Sequence, residues 1–336
     1  MSSYINDIEI YNYKGIESIS LKDLKSINIL IGDNNSGKTT ILEAISFLDK
    51  PLDFREHLKI AKRGYCQSKF KVNKIQEIFN GCDLEKDICI KVTSRDSNYN
   101  LKIYAKEQYE DDEILENKQY QDINLNYDFN NMKESYSIRN YEIYKYNTLK
   151  DKNKIFNIKY VTHLDIYISD SLNKSLSLVI KNGYKDELVN LLNLFDENII
   201  DINYEEDREV YISNNKNQSM TIDAFGDGVK KTMAMISKLI RAKNGVLLID
   251  EIETSIDKDL LNNILNIIIE SSKKYNIQVI ATTHSIETLN ILLENTSNLD
   301  EIALYRLEEF KGKNYVRRFS GVESYETIIK NGGDLR

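Results

Sequence analysis

The stretch Gly32-Asp33-Asn34-Asn35-Ser36-Gly37-Lys38-Thr39 constrains this chain more than any other, because few backbones can carry it. It follows the apolar run Ile27 to Ile31 and leads into Ile41, Leu42, Ala44, Ile45 and Leu48, which recur at helical spacing. Strand, glycine-bounded loop and helix in that order fill the pattern GxxxxGK[ST]. Gly32 and Gly37 let the loop fold so that successive N–H groups point inward around phosphates. The helix start adds unpaired N–H groups and the positive end of a dipole. Lys38 has the reach for β- and γ-phosphates, and the Thr39 hydroxyl is a hard ligand suited to Mg²⁺. The span Gly32, Asn34, Asn35, Ser36, Gly37, Lys38, Thr39 and Thr40 is therefore assigned to binding a nucleoside triphosphate.

A chain of 336 residues, 41% hydrophobic and 29% charged, has the material for a sizeable core and reads as globular rather than disordered. Its net charge of −8 argues against a broad basic face for duplex DNA, so charge gives nucleic acid no support as a partner. Cys66, Cys82 and Cys89 show neither CxxC spacing nor even pairing, which points to a reducing cytoplasm. His57, His163 and His284 are too scattered for a zinc site. No export signal opens the sequence, and no apolar run approaches the roughly 20 residues of a membrane helix, so a cytoplasmic protein without membrane contact is expected.

Taken in order, residues 5–13 and 18–22 alternate apolar with polar, the period of half-buried strands, with Gly15 turning between them. The helix after the phosphate loop should stop near Asp49, since Pro51 biases its predecessor away from helix. Two short helices are expected from 53 to 80 around a break at Gly64, then strands at 87–93 and 100–105. Residues 107–152 are polar, with the acidic run Glu110-Asp111-Asp112-Glu113, and read as a solvated surface insertion. Strands at 155–161 and 165–168, a helix at 186–195, and strands at 198–203 and 209–213 follow.

The continuous apolar run Val246 to Ile249, closed by Asp250 and Glu251, suits a central parallel strand whose carboxyl end meets ligand. Asp250 fits the role of holding Mg²⁺ through water, and Glu251 that of orienting and deprotonating the attacking water. Thr282-Thr283-His284-Ser285 closes another apolar strand. Asp250 and His284 lie 34 residues apart, room for one crossover helix and a return strand beside the first. His284 would then stand level with Asp250 and sense the γ-phosphate. Ahead of both, Gly226 and Gly228 begin an amphipathic helix and make a second anion-binding element. Strands are expected again at 301–307 and 314–319.

Phosphate loop, long middle segment, Gly-rich helix start, acidic strand end and histidine stand in the order of ABC-type ATPases. More narrowly, the chain resembles the bacterial ABC-like AAA family ATPases related to the OLD, RecF and SMC head domains. The resemblance is carried by residues 31–40, Phe225 to Val229, Gly245 to Glu253, Ala281 to Ser285 and the ending Gly332 to Arg336. It implies an α/β fold: an ABC-type head with a mainly parallel central sheet, an N-terminal antiparallel β subdomain and a mixed α+β insertion. Residues 1–336 would form a single head, with 1–50 and 218–336 as nucleotide-binding core and 51–217 inserted. It further implies Mg²⁺-dependent ATP hydrolysis and an ATP-dependent homodimer, in which Gly226 and Gly228 of one protomer face the γ-phosphate held by Lys38 of the other. Ser255-Ile256-Asp257 would cross between protomers. Two family features differ: Phe225 stands where the usual signature serine is expected, and either Gln67 or Gln76 could serve the Q-loop. By the same analogy the chain would serve bacterial anti-phage defence with a separate effector protein. The 51 residues after Ser285 hold no cluster of metal-binding acids, so no OLD-type nuclease is expected. An ATP-dependent DNA-binding repair protein of the RecF or SMC kind is the alternative.

Overall fold

Strand alternation opens the chain as two paired strands, β1 (Ile5–Tyr13) and β2 (Ile16–Leu21), with Ile8 opposite Leu21 and Ile10 opposite Ile19. All four of these side chains are buried. The structure, a computed structural model, describes residues 5–61, 73–110, 120–139, 142–145, 156–162, 165, 169–205, 209–216, 218–310 and 313–336. β3 (Ile27–Gly32) is buried at every position, as a strand covered on both faces must be. α1 (Lys38–Ser46) follows and tightens into a 3₁₀ turn at Phe47–Asp49, just ahead of Pro51. α2 (Phe54–Ala61) and α3 (Asn73–Gln76) come next.

β4 (Ile88–Ser94) pairs with β1 and, as a hairpin, with β5 (Asn98–Glu110). β6 (Tyr120–Phe129), β7 (Met132–Arg139) and β8 (Glu142–Lys145) complete a seven-stranded antiparallel sheet of order β2-β1-β4-β5-β6-β7-β8. The sheet that the N-terminus begins is thus finished by strands from the middle of the chain. For the described residues 120–139 and 142–145, this corrects the reading of 107–152 as a solvated insertion. Ile123, Leu125, Tyr127 and Phe129 alternate with Asn124, Asn126 and Asp128, and the apolar set is buried against Tyr136 and Ile138 of β7. The polar half of a half-buried strand hid its period.

β9 (Ile158–Val161) belongs to the other large sheet. α4 (Ser169–Lys181), which the sequence reading missed, and α5 (Lys185–Phe195) follow it. A small antiparallel sheet comes next: β10 (Ile199–Tyr204), β11 (Val210–Asn214) and β12 (Ser219–Thr221). The chain then runs through α6 (Asp227–Arg241), β13 (Gly245–Ile249), α7 (Lys258–Lys274), β14 (Ile277–Thr282) and α8 (Ile286–Asn295). It ends with β15 (Ile302–Phe310), β16 (Lys313–Ser320), α9 (Gly321–Tyr325) and a π turn. Gly64, Cys66, Gln67, His163, the acids at 111–113 and residues 166–168 lie outside the described residues; Asp165 sits in a turn rather than a strand.

The second sheet has the order β16-β15-β3-β14-β13-β9, and every pairing in it is parallel except that of β16 with β15. Its strands feed two cores by alternation. Ile27, Ile29, Ile31, Leu247 and Ile249 face the helices α4 to α8, whereas Leu30, Val246 and Leu248 face α1 and the antiparallel sheet. An α/β head with a mainly parallel central sheet results, and β3, β13 and β14 stop together at one edge.

Candidate active site

At that edge the phosphate loop turns between β3 and α1. Gly32 has φ +135°, and a Cβ there would stand 2.3 Å from the Leu307 carbonyl oxygen of β15, so both conformation and space require glycine. Gly37, at φ +96°, caps α1, and Asn35 is also left-handed. Asn34 and Asn35 are exposed, Thr40 is half-buried and Ser36 is buried. Lys38 runs back into the loop, where its ammonium donates to the Gly32 carbonyl at 2.9 Å, the Asp33 carbonyl at 2.8 Å and Ser36 Oγ at 3.3 Å. Burial pushes the Lys38 pKa down, and Asp250, Asp33, Glu251 and Glu253 act against that shift.

Opposite the loop, Asp250 follows β13 and is buried. Its N–H donates to the Val161 carbonyl of β9 at 2.9 Å. The Thr39 hydroxyl donates to its carboxylate, 3.0 Å from Oδ1 and 3.2 Å from Oδ2, joining residues 211 apart in sequence. A hydroxyl beside a buried carboxylate offers the hard oxygen donors that would hold Mg²⁺, directly or through water.

Thr282, at the end of β14, is the residue the sequence reading passed over. Its hydroxyl donates to Asp250 Oδ1 at 2.9 Å and accepts the Glu251 N–H at 2.7 Å. Thr282 is the first threonine of Thr-Thr-His-Ser, but its bridge from β14 to β13 becomes visible only when the strands pair. Glu251 itself is left-handed, φ +48°, and one carboxylate oxygen accepts from Thr254 Oγ1 at 3.1 Å. Its carbonyl accepts from the ammonium of Lys231. Glu253 Oε1 accepts the His284 N–H at 2.8 Å, and Arg336 Nη1 donates to the His284 carbonyl at 2.8 Å. The structure therefore gathers Lys38, Thr39, Asp250, Glu251 and His284 at one sheet edge.

Gly226 is the N-cap of α6 and exposed, with nothing within 4 Å of a would-be Cβ. Gly228 packs instead on the segment after the acids, where a Cβ would meet the Ser255 carbonyl oxygen at 2.6 Å. Gln76 lies in α3.

Residues 27–290 match the family described as "AAA domain, putative AbiEii toxin, Type IV TA system". The chain belongs to this AAA family. An "ATP/GTP phosphatase" of Helicobacter pylori is 22% identical over 324 residues, which span 86% of this chain and 87% of that protein. The DNA replication and repair protein RecF of Shewanella frigidimarina is 44% identical over 54 residues, only 16% of this chain and 15% of RecF. Among solved structures, an Smc head bound to the C-winged helix domain of ScpA superposes with TM-score 0.52 at 16% identity, covering 94% of this chain and 98% of that one. The Smc head domain from Pyrococcus furiosus bound to the C-terminal domain of ScpA gives TM-score 0.51 at 14% identity, with coverage of 98% and 99%. These structures share the fold of the AAA-family chain, and the phosphate loop lies inside the matched family region. The chain is a P-loop ATPase of the AAA family.

Proposed function

We propose that this chain hydrolyses ATP at the edge of the parallel sheet and uses the nucleotide to gate association of two heads. The observation that carries the reading is the contact of Thr39 with Asp250, which joins phosphate loop and acidic strand. The loop amides and Lys38 would hold the β- and γ-phosphates. Thr39 and Asp250 would hold Mg²⁺, which when bound neutralises charge developing on the phosphate oxygens. Glu251 would orient a water and take its proton as the water oxygen attacks the γ-phosphorus and the bond to the bridging oxygen of ADP breaks. His284, its backbone held by Glu253 and Arg336, would sense the γ-phosphate.

The exposed Gly226 and the neighbouring Gly228, which packs on Ser255, would give each head a second anion-binding surface. That surface supports a homodimer in which each nucleotide is shared between two copies. The family description names a toxin–antitoxin system, which supports a switch in bacterial defence or DNA-related work, acting on a separate effector. In this reading 1–336 acts as one head.

Glu251→Gln tests the proposal, because it keeps the shape and removes the base. Turnover should fall about 10²- to 10⁴-fold, while ATP shifts the protein to twice its monomer mass by light scattering. A variant that stays monomeric with ATP would overturn the dimeric switch, and undiminished turnover would overturn the role of Glu251.

A further inference from the structure

Lys231 is a buried charge to which the hydrolytic reading gives no part. It lies one turn into α6 and is 1% exposed. Taking an ammonium out of water is costly, and a methionine of similar length would fill the space without that cost. The lysine ends on the carbonyl of Glu251, in the field of Glu253, Glu251 and Asp250. Burial lowers its pKa to about 8, and those three carboxylates act to raise it.

The geometry at Glu251 explains the placement. A left-handed residue two positions past a strand end turns its carbonyl off the ladder. The Glu251 N–H is fixed by Thr282 Oγ1 at 2.7 Å, and its carbonyl by Lys231 together with the Thr254 N–H at 3.0 Å. Lys231 therefore helps set the direction in which the Glu251 side chain leaves the strand. The same helix touches the same loop a second time, where Gly228 packs on Ser255. One rigid turn of α6 thus bears on both ends of 251–255, with Thr232 Oγ1 closing that turn on the Gly228 carbonyl at 2.9 Å.

We propose that Lys231 is a positioning residue that ties the aim of Glu251 to the glycine-rich start of α6, so that an anion engaged at Gly226 and Gly228 sets the carboxylate for hydrolysis. This rests on the reading of Glu251 as the group that orients water. It also gives α6 a task beyond binding: the helix transmits occupancy of its N-terminus to the base.

The test compares Lys231→Met and Lys231→Arg in the full chain, with ATP turnover, binding of a fluorescent ATP analogue and thermal denaturation. Lys231→Met should bind the analogue within about twofold of the parent and keep its KM and Tm, yet lose about 10- to 100-fold in kcat. Lys231→Arg, which keeps a charged donor, should recover most of that loss. A Met variant that turns over like the parent overturns the proposal. So does one whose only change is a lower Tm. A parent without ATP turnover refutes the hydrolytic reading instead. Should Lys231→Met not fold, or the parent not turn over, hydrogen exchange of the parent with a non-hydrolysable ATP analogue decides. Amides of 228–232 and 250–254 slow together if the coupling exists, and slowing of only one set, or of neither, overturns it.

Discussion

The Thr282 hydroxyl binds the Asp250 carboxylate at 2.9 Å while accepting the Glu251 N–H at 2.7 Å, so one side chain of β14 holds both acids that end β13. Thr282 is fully buried and Asp250 nearly so, which makes each bond expensive to leave unmade. Thr282→Val keeps the shape and deletes the hydroxyl. It is expected to lower stability by about 1–3 kcal/mol in urea unfolding and kcat by about tenfold or more through loss of aim. Nucleotide binding, which rests on the phosphate loop, should change much less.

Gly32 makes the opposite kind of demand, one of space. A methyl group there would stand only 2.3 Å from the Leu307 carbonyl oxygen while the backbone holds φ +135°. Gly32→Ala should therefore displace the loop from β15. The expected result is a stability loss of at least about 2 kcal/mol and no saturable binding of a fluorescent ATP analogue. Calorimetry and fluorescence titration measure the two effects separately.

His57 predicts an acid sensitivity away from the site. Its ring stacks on Phe47 with centroids 4.0 Å apart, and Nε2 faces the Lys50 carbonyl at 2.9 Å and that of Phe47 at 3.3 Å. Carbonyls only accept, so Nε2 carries the proton; Nδ1 is buried without a hydrogen-bond partner. Burial lowers its pKa from 6.5 to about 4. Below pH 6.5 the unfolded chain gains a proton that the folded chain refuses until about pH 4. Stability is therefore lost as pH falls through that window, by up to about 3 kcal/mol. His57→Phe should flatten the difference between urea unfolding at pH 7 and pH 4.5 by a comparable amount, and an unchanged difference would refute the assignment.

The sequence made legible those parts whose signals are local. The phosphate loop has fixed spacing, β13 is an unbroken apolar run and β3 one interrupted by Asn28, and the crossover from Asp250 to His284 has the length of one helix. β6 and β7 stayed hidden because their alternate positions are Asn, Asp, Ser and Lys, and a polar average outweighed the period. The contacts that finish the site were unreadable for another reason: Thr282, Lys231 and Arg336 act on residues 31, 20 and 52 positions away. Lys231 carried a faint signal, a charge four residues before Met235 on an otherwise apolar helix face. Nothing in a one-dimensional reading says which carbonyl such a charge will find.

The short strand β9 joins these parts in a way that no motif advertises. The N–H of its first residue, Ile158, donates to Asp49 at the end of the turn trailing α1, and the carbonyl of its last, Val161, receives the Asp250 N–H. Four residues thus form a yoke between two halves of the catalytic edge. A shift of β9 would therefore move the phosphate-loop helix and the opposing carboxylate together.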